Sequence, residues 1–93
     1  MEGQIFMDIE DWRKKIDEID VKLVDLLAER ARVAKEIGQL KMSANLAIYE
    51  PVRAQAVFNH IEALNPGSLP VGGLTRIYHV IMEVMLDIQR QQG

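Results

Sequence analysis

Apolar residues recur along the first half of the chain in alternating steps of four and three: Trp12, Ile16, Ile19, Leu23, Leu26, then Val33, Ile37 and Leu40. That rhythm draws a continuous apolar seam along one side of a helix that packs against other helices. No proline interrupts the run, and Asp8, Glu10 and Asp11 suit the positive end of a helix dipole. The pattern predicts one helix from about Asp8 to about Met42. Ser43 to Tyr49 reads as a short connector. Glu50-Pro51 then opens a second helix, with proline in the first turn, where its missing N–H costs nothing. Val57, Ile61 and Leu64 form its stripe, with Phe58 beside it, and Asn65-Pro66-Gly67 ends it. A third helix is expected from near Pro70 to about Gln91, with Leu74, Ile77, Tyr78, Ile81, Met85 and Ile88 inward. Gly72 and Gly73 weaken its first turn. The fold class is all-α, three helices of long, short and medium length.

The first helix has a consequence for assembly. At about 1.5 Å per residue it is roughly 50 Å long, whereas a compact domain of this size has a radius of gyration of about 12 Å. The rest of the chain cannot cover it. Pairing two chains along their long helices, as an intertwined helical-bundle homodimer, removes the wet seam.

Composition narrows the function classes. The chain has 93 residues, 48% of them apolar, and a net charge of −3, so it is a single globular domain. Its basic residues are scattered among acids, unlike the basic face a nucleic-acid binder needs. There is no cysteine, which excludes disulfides and thiolate chemistry. No apolar run approaches the ~20 residues of a membrane span. Met1 to Phe6 lacks the pattern of a signal peptide, so a cytoplasmic location is expected, with residues 1–7 as a flexible extension and 8–91 as the domain.

Polar residues then appear on the wrong faces. Arg30 stands where the seam calls for a leucine. A guanidinium cannot shed its proton, and burying it unpaired is costly, so an anion should meet it. Lys41 follows 11 residues later, in phase to within about 20° at about 100° per residue. Ala34 and Gly38, both small, lie between them. Glycine inside a helix costs about 1 kcal/mol against alanine and needs a reason. It serves either as the floor of a pocket for a compact dianion or as a point of close helix packing. Arg53 extends the stripe of the second helix, and also stands one turn after Glu50 as an ordinary surface ion pair. Arg13 points about 100° away from Arg30 on the same helix; it is a surface arginine or reaches the pocket of a second chain. Gln89 continues the inward side of the third helix from Met85, as a hydrogen-bond donor that does not titrate or as a fraying end. His60 and His79 fall on polar faces. Cations and an amide without an evident nucleophile or general base suit a reaction driven by positioning and electrostatics.

These residues carry a resemblance. The run Arg13-x-x-Ile16-Asp17-x-Ile19-Asp20-x-x-Leu23-x-x-Leu26-Leu27-x-x-Arg30-x-x-x-Ala34-x-x-Ile37-Gly38-x-x-Lys41 resembles the all-helical class of chorismate mutases. Tyr49-Glu50-Pro51-Val52-Arg53 looks like the start of that family's second helix. Asn65-Pro66-Gly67-Ser68-Leu69 and the third helix after it resemble the mutase domain often fused to prephenate dehydratase. With no dehydratase or synthase segment after it, a free-standing mutase is expected.

The resemblance implies an intertwined homodimer with two equivalent sites, and the cofactor-free, metal-free Claisen rearrangement of chorismate to prephenate in aromatic amino-acid biosynthesis. Carried over by position, Arg30 and Arg53 come from one chain and Arg13 from the other. Arg30 and Arg13 hold the two carboxylates, and Arg53 adds positive charge at the same end. Lys41 and Gln89 donate to the ether oxygen, and Glu50 lies near the ring hydroxyl. Two positions depart from the pattern. Ala54 stands where many members have a glutamate that binds the ring hydroxyl, and Met85, on the substrate side, stands where a small hydroxyl residue is common. Two other readings remain open on these residues: an isochorismate–pyruvate lyase, which shares the fold and the arginine–lysine–glutamine set, and a non-catalytic helical dimerisation or regulatory module. Association with an upstream synthase is a further open point.

Overall fold

The computed structural model describes residues 7–91. The expected flexible extension lies outside them, apart from Met7. Three helices succeed one another: α1, Ile9–Ser43; α2, Pro51–Leu64; and α3, Gly73–Arg90. No helix among the described residues is long and apolar enough to cross a membrane. The chain divides into two compact units, Met1–Arg30 and Ala31–Gly93, and the division falls inside α1.

In the first unit, the start of α1 is fixed by more than charge. The Asp11 backbone N–H donates to the Asp8 carboxylate at 2.9 Å, and the Asp8 N–H donates to the Asp11 carboxylate at 3.1 Å. This reciprocal pair is a capping box built from two aspartates. The seam residues Trp12, Ile16, Ile19, Leu23 and Leu26 are all at least half exposed. A lone helix gains little from propensity and takes most of its stability from packing, so this apolar side is unspent within the unit.

The second unit holds the buried core: Ala34, Val57, Ile61 and Met85, with Gly38, Lys41 and Gly73 buried beside them. The end of α1 is a left-handed cap. Asn45 adopts φ 56, the Leu46 N–H reaches the Lys41 carbonyl at 2.8 Å, and the Asn45 N–H reaches that of Met42 at 3.2 Å. This is the Schellman arrangement, with asparagine in the place usually taken by glycine. It turns the connector back toward the helix it has just left.

The second helix starts and ends as its sequence predicts, but Leu64 is exposed, so the stripe is Val57 and Ile61 with Phe58 half-buried. The third helix begins three residues later than expected. Gly72 takes a left-handed φ of 74 as its N-cap, and the Gly73 N–H closes a turn onto the Pro70 carbonyl at 2.9 Å. The glycine pair therefore ends the loop instead of weakening a first turn. Ile77 is exposed, in contrast to its expected inward position. Helices α2 and α3 pack on each other, with the Phe58 and His79 rings 4.6 Å apart and Thr75 Oγ1 donating to the Glu62 carboxylate. Ile61, on α2, is 4% exposed. Ile61→Ala is expected to cost about 2–5 kcal/mol of stability, read as a lower urea midpoint with little change in slope.

Candidate active site

Lys41 is the one buried charged residue among those described. It lies in the last turn of α1, where a surface lysine would merely complement the helix dipole. Instead its ammonium has three short contacts, to the connector, to the start of α2 and to α3. Nζ donates to the Ile48 carbonyl at 2.7 Å and to Gln89 Oε1 at 2.9 Å. The third partner, Glu50 Oε2, stands 2.8 Å away. An ammonium carries three protons, so each has an acceptor. Burial of the charge is tolerable because one acceptor is a carboxylate and the others complete the shell.

Each partner is delivered by a local backbone device. The Schellman turn after Ser43 brings Ile48 back over Lys41. Glu50 is the N-cap residue of α2, but its side chain makes no capping bond, which leaves the carboxylate free for Lys41. The expected Glu50–Arg53 surface pair is replaced by this one. Pro51 at N1 explains why the cap is dispensable: one of the orphan N–H groups is missing from the start. Gln89 lies in the last turn of α3, half-buried and held, so it is not a fraying end.

Gly38 explains how α3 comes so close. A Cβ placed there would lie 2.8 Å from Gln89 Cα and 3.1 Å from both Gln89 Cβ and the Gln89 carbonyl oxygen. The close-packing reading of this glycine therefore holds. The α3 backbone covers it, and it is not the bare floor of a pocket.

Beside Lys41 is a small cavity of about 80 Å³ lined by Lys41, Ile48, Tyr49, Glu50, Arg53, Ala54, Met82 and Leu86. Arg53 is exposed and lines this hollow. Met85 does not line it, since it is 5% exposed and belongs to the core. Sequence reasoning did not single out Ile48, Met82 or Leu86. The Ile48 contribution is a backbone carbonyl, which no side-chain pattern announces. Met82 and Leu86 flank the stripe residue Met85 on α3, and that neighbourhood was the available signal. Larger hollows lie elsewhere among the described residues. One is lined by Arg32, Val33, Lys35, Glu36 and Gln39 of α1 alone, and one helix surface does not enclose a ligand. Another runs along α2 and α3 past Phe58 and His79 and gathers no buried polar group.

In the first unit, Arg30 is half-buried. Arg13 is exposed and pairs with Glu10 at 2.8 Å within its own helix. His60 and His79 are both exposed, and no group of His, Cys, Asp and Glu among the described residues is arranged to hold a metal ion.

The family whose description reads chorismate mutase type II matches residues 12–90. The chain belongs to this family. It is 40% identical over 80 residues to the chorismate mutase of Methanocaldococcus jannaschii, covering 85% of this chain and 81% of that protein. It is 38% identical over 88 residues to the bifunctional chorismate mutase/prephenate dehydratase of Aquifex aeolicus, covering 90% of this chain but 24% of that one. The chain thus spans about a quarter of the length of such bifunctional relatives. Among solved structures, the form II chorismate mutase of Thermus thermophilus superposes with a TM-score of 0.87 at 31% identity, over 90% of this chain and 96% of that one. The three-helix fold is therefore that of a chorismate mutase.

Proposed function

We propose that the chain is a chorismate mutase, isomerising chorismate to prephenate as a homodimer whose sites draw on both chains, in the branch of metabolism that leads to phenylalanine and tyrosine. The observation that carries this reading is the buried Lys41 ammonium, held beside Gln89 and Glu50 and opening onto a cavity shared with Arg53.

The reaction breaks the ether C–O bond and forms a C–C bond within one molecule, with no proton transferred and no covalent link to the protein. Catalysis therefore rests on holding a folded, chair-like conformer and on meeting the negative charge that gathers on the ether oxygen. Lys41 is the donor to that oxygen. Its three protons are already engaged, so one partner must yield, and Glu50, whose side chain is 51% exposed, is the one free to swing away. Its carboxylate then accepts from the ring hydroxyl. Gln89 presents its Oε1 to Lys41, which leaves Nε2 as the second donor to the ether oxygen. Both contacts strengthen as the oxygen becomes more negative, so they favour the transition state over the ground state. Arg53 adds positive charge, and the two carboxylates go to Arg30 and to Arg13, the latter from the second chain. Ala54 leaves hydroxyl recognition to Glu50.

Two physical points support the dimer. The seam of α1 from Trp12 to Leu26 is uncovered within its unit. The cavity of about 80 Å³ beside Lys41 is well below the roughly 300–1,000 Å³ of a small-molecule pocket, so further walls are needed.

The test is to incubate purified protein with chorismate and, separately, with isochorismate, and to identify products by NMR. Prephenate from the first and no pyruvate from the second is expected. Pyruvate released from isochorismate marks a lyase, and chorismate decaying only at the rate of the protein-free control marks a non-catalytic module.

A pH experiment bears on Gln89. In Gln89→Glu the new carboxylate faces Lys41 and is favoured in its charged form, where it repels the ether oxygen. Protonation turns it into an O–H donor. Activity of this variant is expected to rise as pH falls, while the wild-type amide gives no such dependence. Parallel pH profiles for the two proteins contradict a role for Gln89 at the reacting oxygen.

A further inference from the structure

We infer that Gly38 is a positioning residue for the rearrangement: its missing Cβ sets the approach of α3 that brings Gln89 to Lys41. The inference rests on the reading of Lys41 and Gln89 as the donors to the ether oxygen. Gly38 stands one turn before Lys41 on α1, and the three atoms nearest to a Cβ placed there all belong to Gln89. Two of them, Cα at 2.8 Å and the carbonyl oxygen at 3.1 Å, are backbone. A rotamer change cannot relieve such an overlap, so the last turn of α3 has to move away. The other two partners of Lys41 do not move with it. The Ile48 carbonyl belongs to the connector and Glu50 to the start of α2, at 2.7 and 2.8 Å. An added methyl group at residue 38 therefore withdraws Gln89 and leaves Lys41 in place. The effect is confined to one donor.

This separates Gly38 from an ordinary packing glycine. In a helix interior, glycine is less favourable than alanine, so a glycine with no spatial duty is improved by alanine, in stability, at no cost to rate. A glycine that serves as a spacer for Gln89 gives the opposite result in kcat. A displacement on the order of 1 Å at a reacting centre can cost up to about 100-fold in rate.

The experiment is a double-mutant cycle on chorismate turnover with the full chain: wild type, Gly38→Ala, Gln89→Ala and the double variant, each with kcat, KM and a thermal melt. The expected result is that Gly38→Ala lowers kcat by about 10–100-fold with KM within about threefold, and that adding it to Gln89→Ala lowers kcat little further, since neighbours that act as one unit are not additive. Wild-type kcat in Gly38→Ala alongside an impaired Gln89→Ala overturns the inference alone. So do losses that multiply in the double variant, which point to a general structural defect. Unchanged kcat in Gln89→Ala overturns the donor reading and this inference with it. If Gly38→Ala melts below the assay temperature, all four proteins are assayed in an excluded osmolyte such as TMAO, which favours the compact state. A chain still unfolded there also overturns the inference, because the glycine is then a requirement of folding and not a spacer for one side chain.

Discussion

Lys41→Ala is expected to lower kcat for chorismate by about 10²–10³-fold, the usual consequence of removing one preorganised donor from a developing oxyanion, with a much smaller change in KM. The expectation comes from where the ammonium sits. It is buried, it has three acceptors between 2.7 and 2.9 Å, and nothing needs to reorganise except the exposed Glu50 when a ligand oxygen arrives. Such a group is worth most where charge develops and little where it does not. Arg13→Ala should behave differently. Arg13 is exposed and paired only within its own helix turn, and its proposed carboxylate carries the same charge throughout the reaction. Uniform binding lost in this way raises KM and leaves kcat nearly intact. Steady-state kinetics on both variants checks the division, and equal losses of kcat contradict it. Thermal melts of Lys41→Ala are a necessary companion, because the Ile48 carbonyl and the Gln89 amide lose a partner in that variant.

Leu23→Glu is expected to abolish both the dimer and activity, with kcat/KM falling more than about 100-fold. Leu23 is 51% exposed in the single chain. Were the chain to work alone, a charge there would be an ordinary surface substitution, within about 0.5 kcal/mol of neutral. In a dimer paired along α1 the same carboxylate enters an apolar interface without a partner, at a cost of several kcal/mol. The seam of α1 from Trp12 to Leu26 is at least half exposed in the single chain, so loss of helix content by circular dichroism should accompany dissociation. Sedimentation equilibrium reads the assembly directly. An unchanged particle that retains full activity contradicts the pairing.

The three helices were legible because their periodicity is strong and two of their boundaries are chemical: Glu50-Pro51 at a start and Asn65-Pro66-Gly67 at a stop. The misread details are those where a local device replaces a propensity. Gly72 and Gly73 cap α3 instead of loosening it, because a left-handed φ of 74 needs glycine. Asn45 closes α1 in the same conformation. Leu64 and Ile77 look inward on a helical wheel, but a chain of this size has only a few fully buried positions to offer.

For the site, the inward side of Lys41 and of Gln89 was readable from spacing. The three-way coordination of Lys41 was not, since it depends on a backbone carbonyl in the connector and on Glu50 leaving its cap. Gly38 was legible only as an anomaly with two explanations. The distance to the Gln89 backbone selects between them.

In the proposed enzyme each site is completed by two chains. Mixing Arg13→Ala chains with Lys41→Ala chains, after brief denaturation and joint refolding, tests it most directly. Half of the dimers should be hybrids, and in each hybrid one of the two sites has both Arg13 and Lys41 intact. The mixture, assayed below KM, is predicted to recover about a quarter of wild-type activity, as two-fold symmetry requires. Activity no greater than the average of the two parents contradicts a shared site.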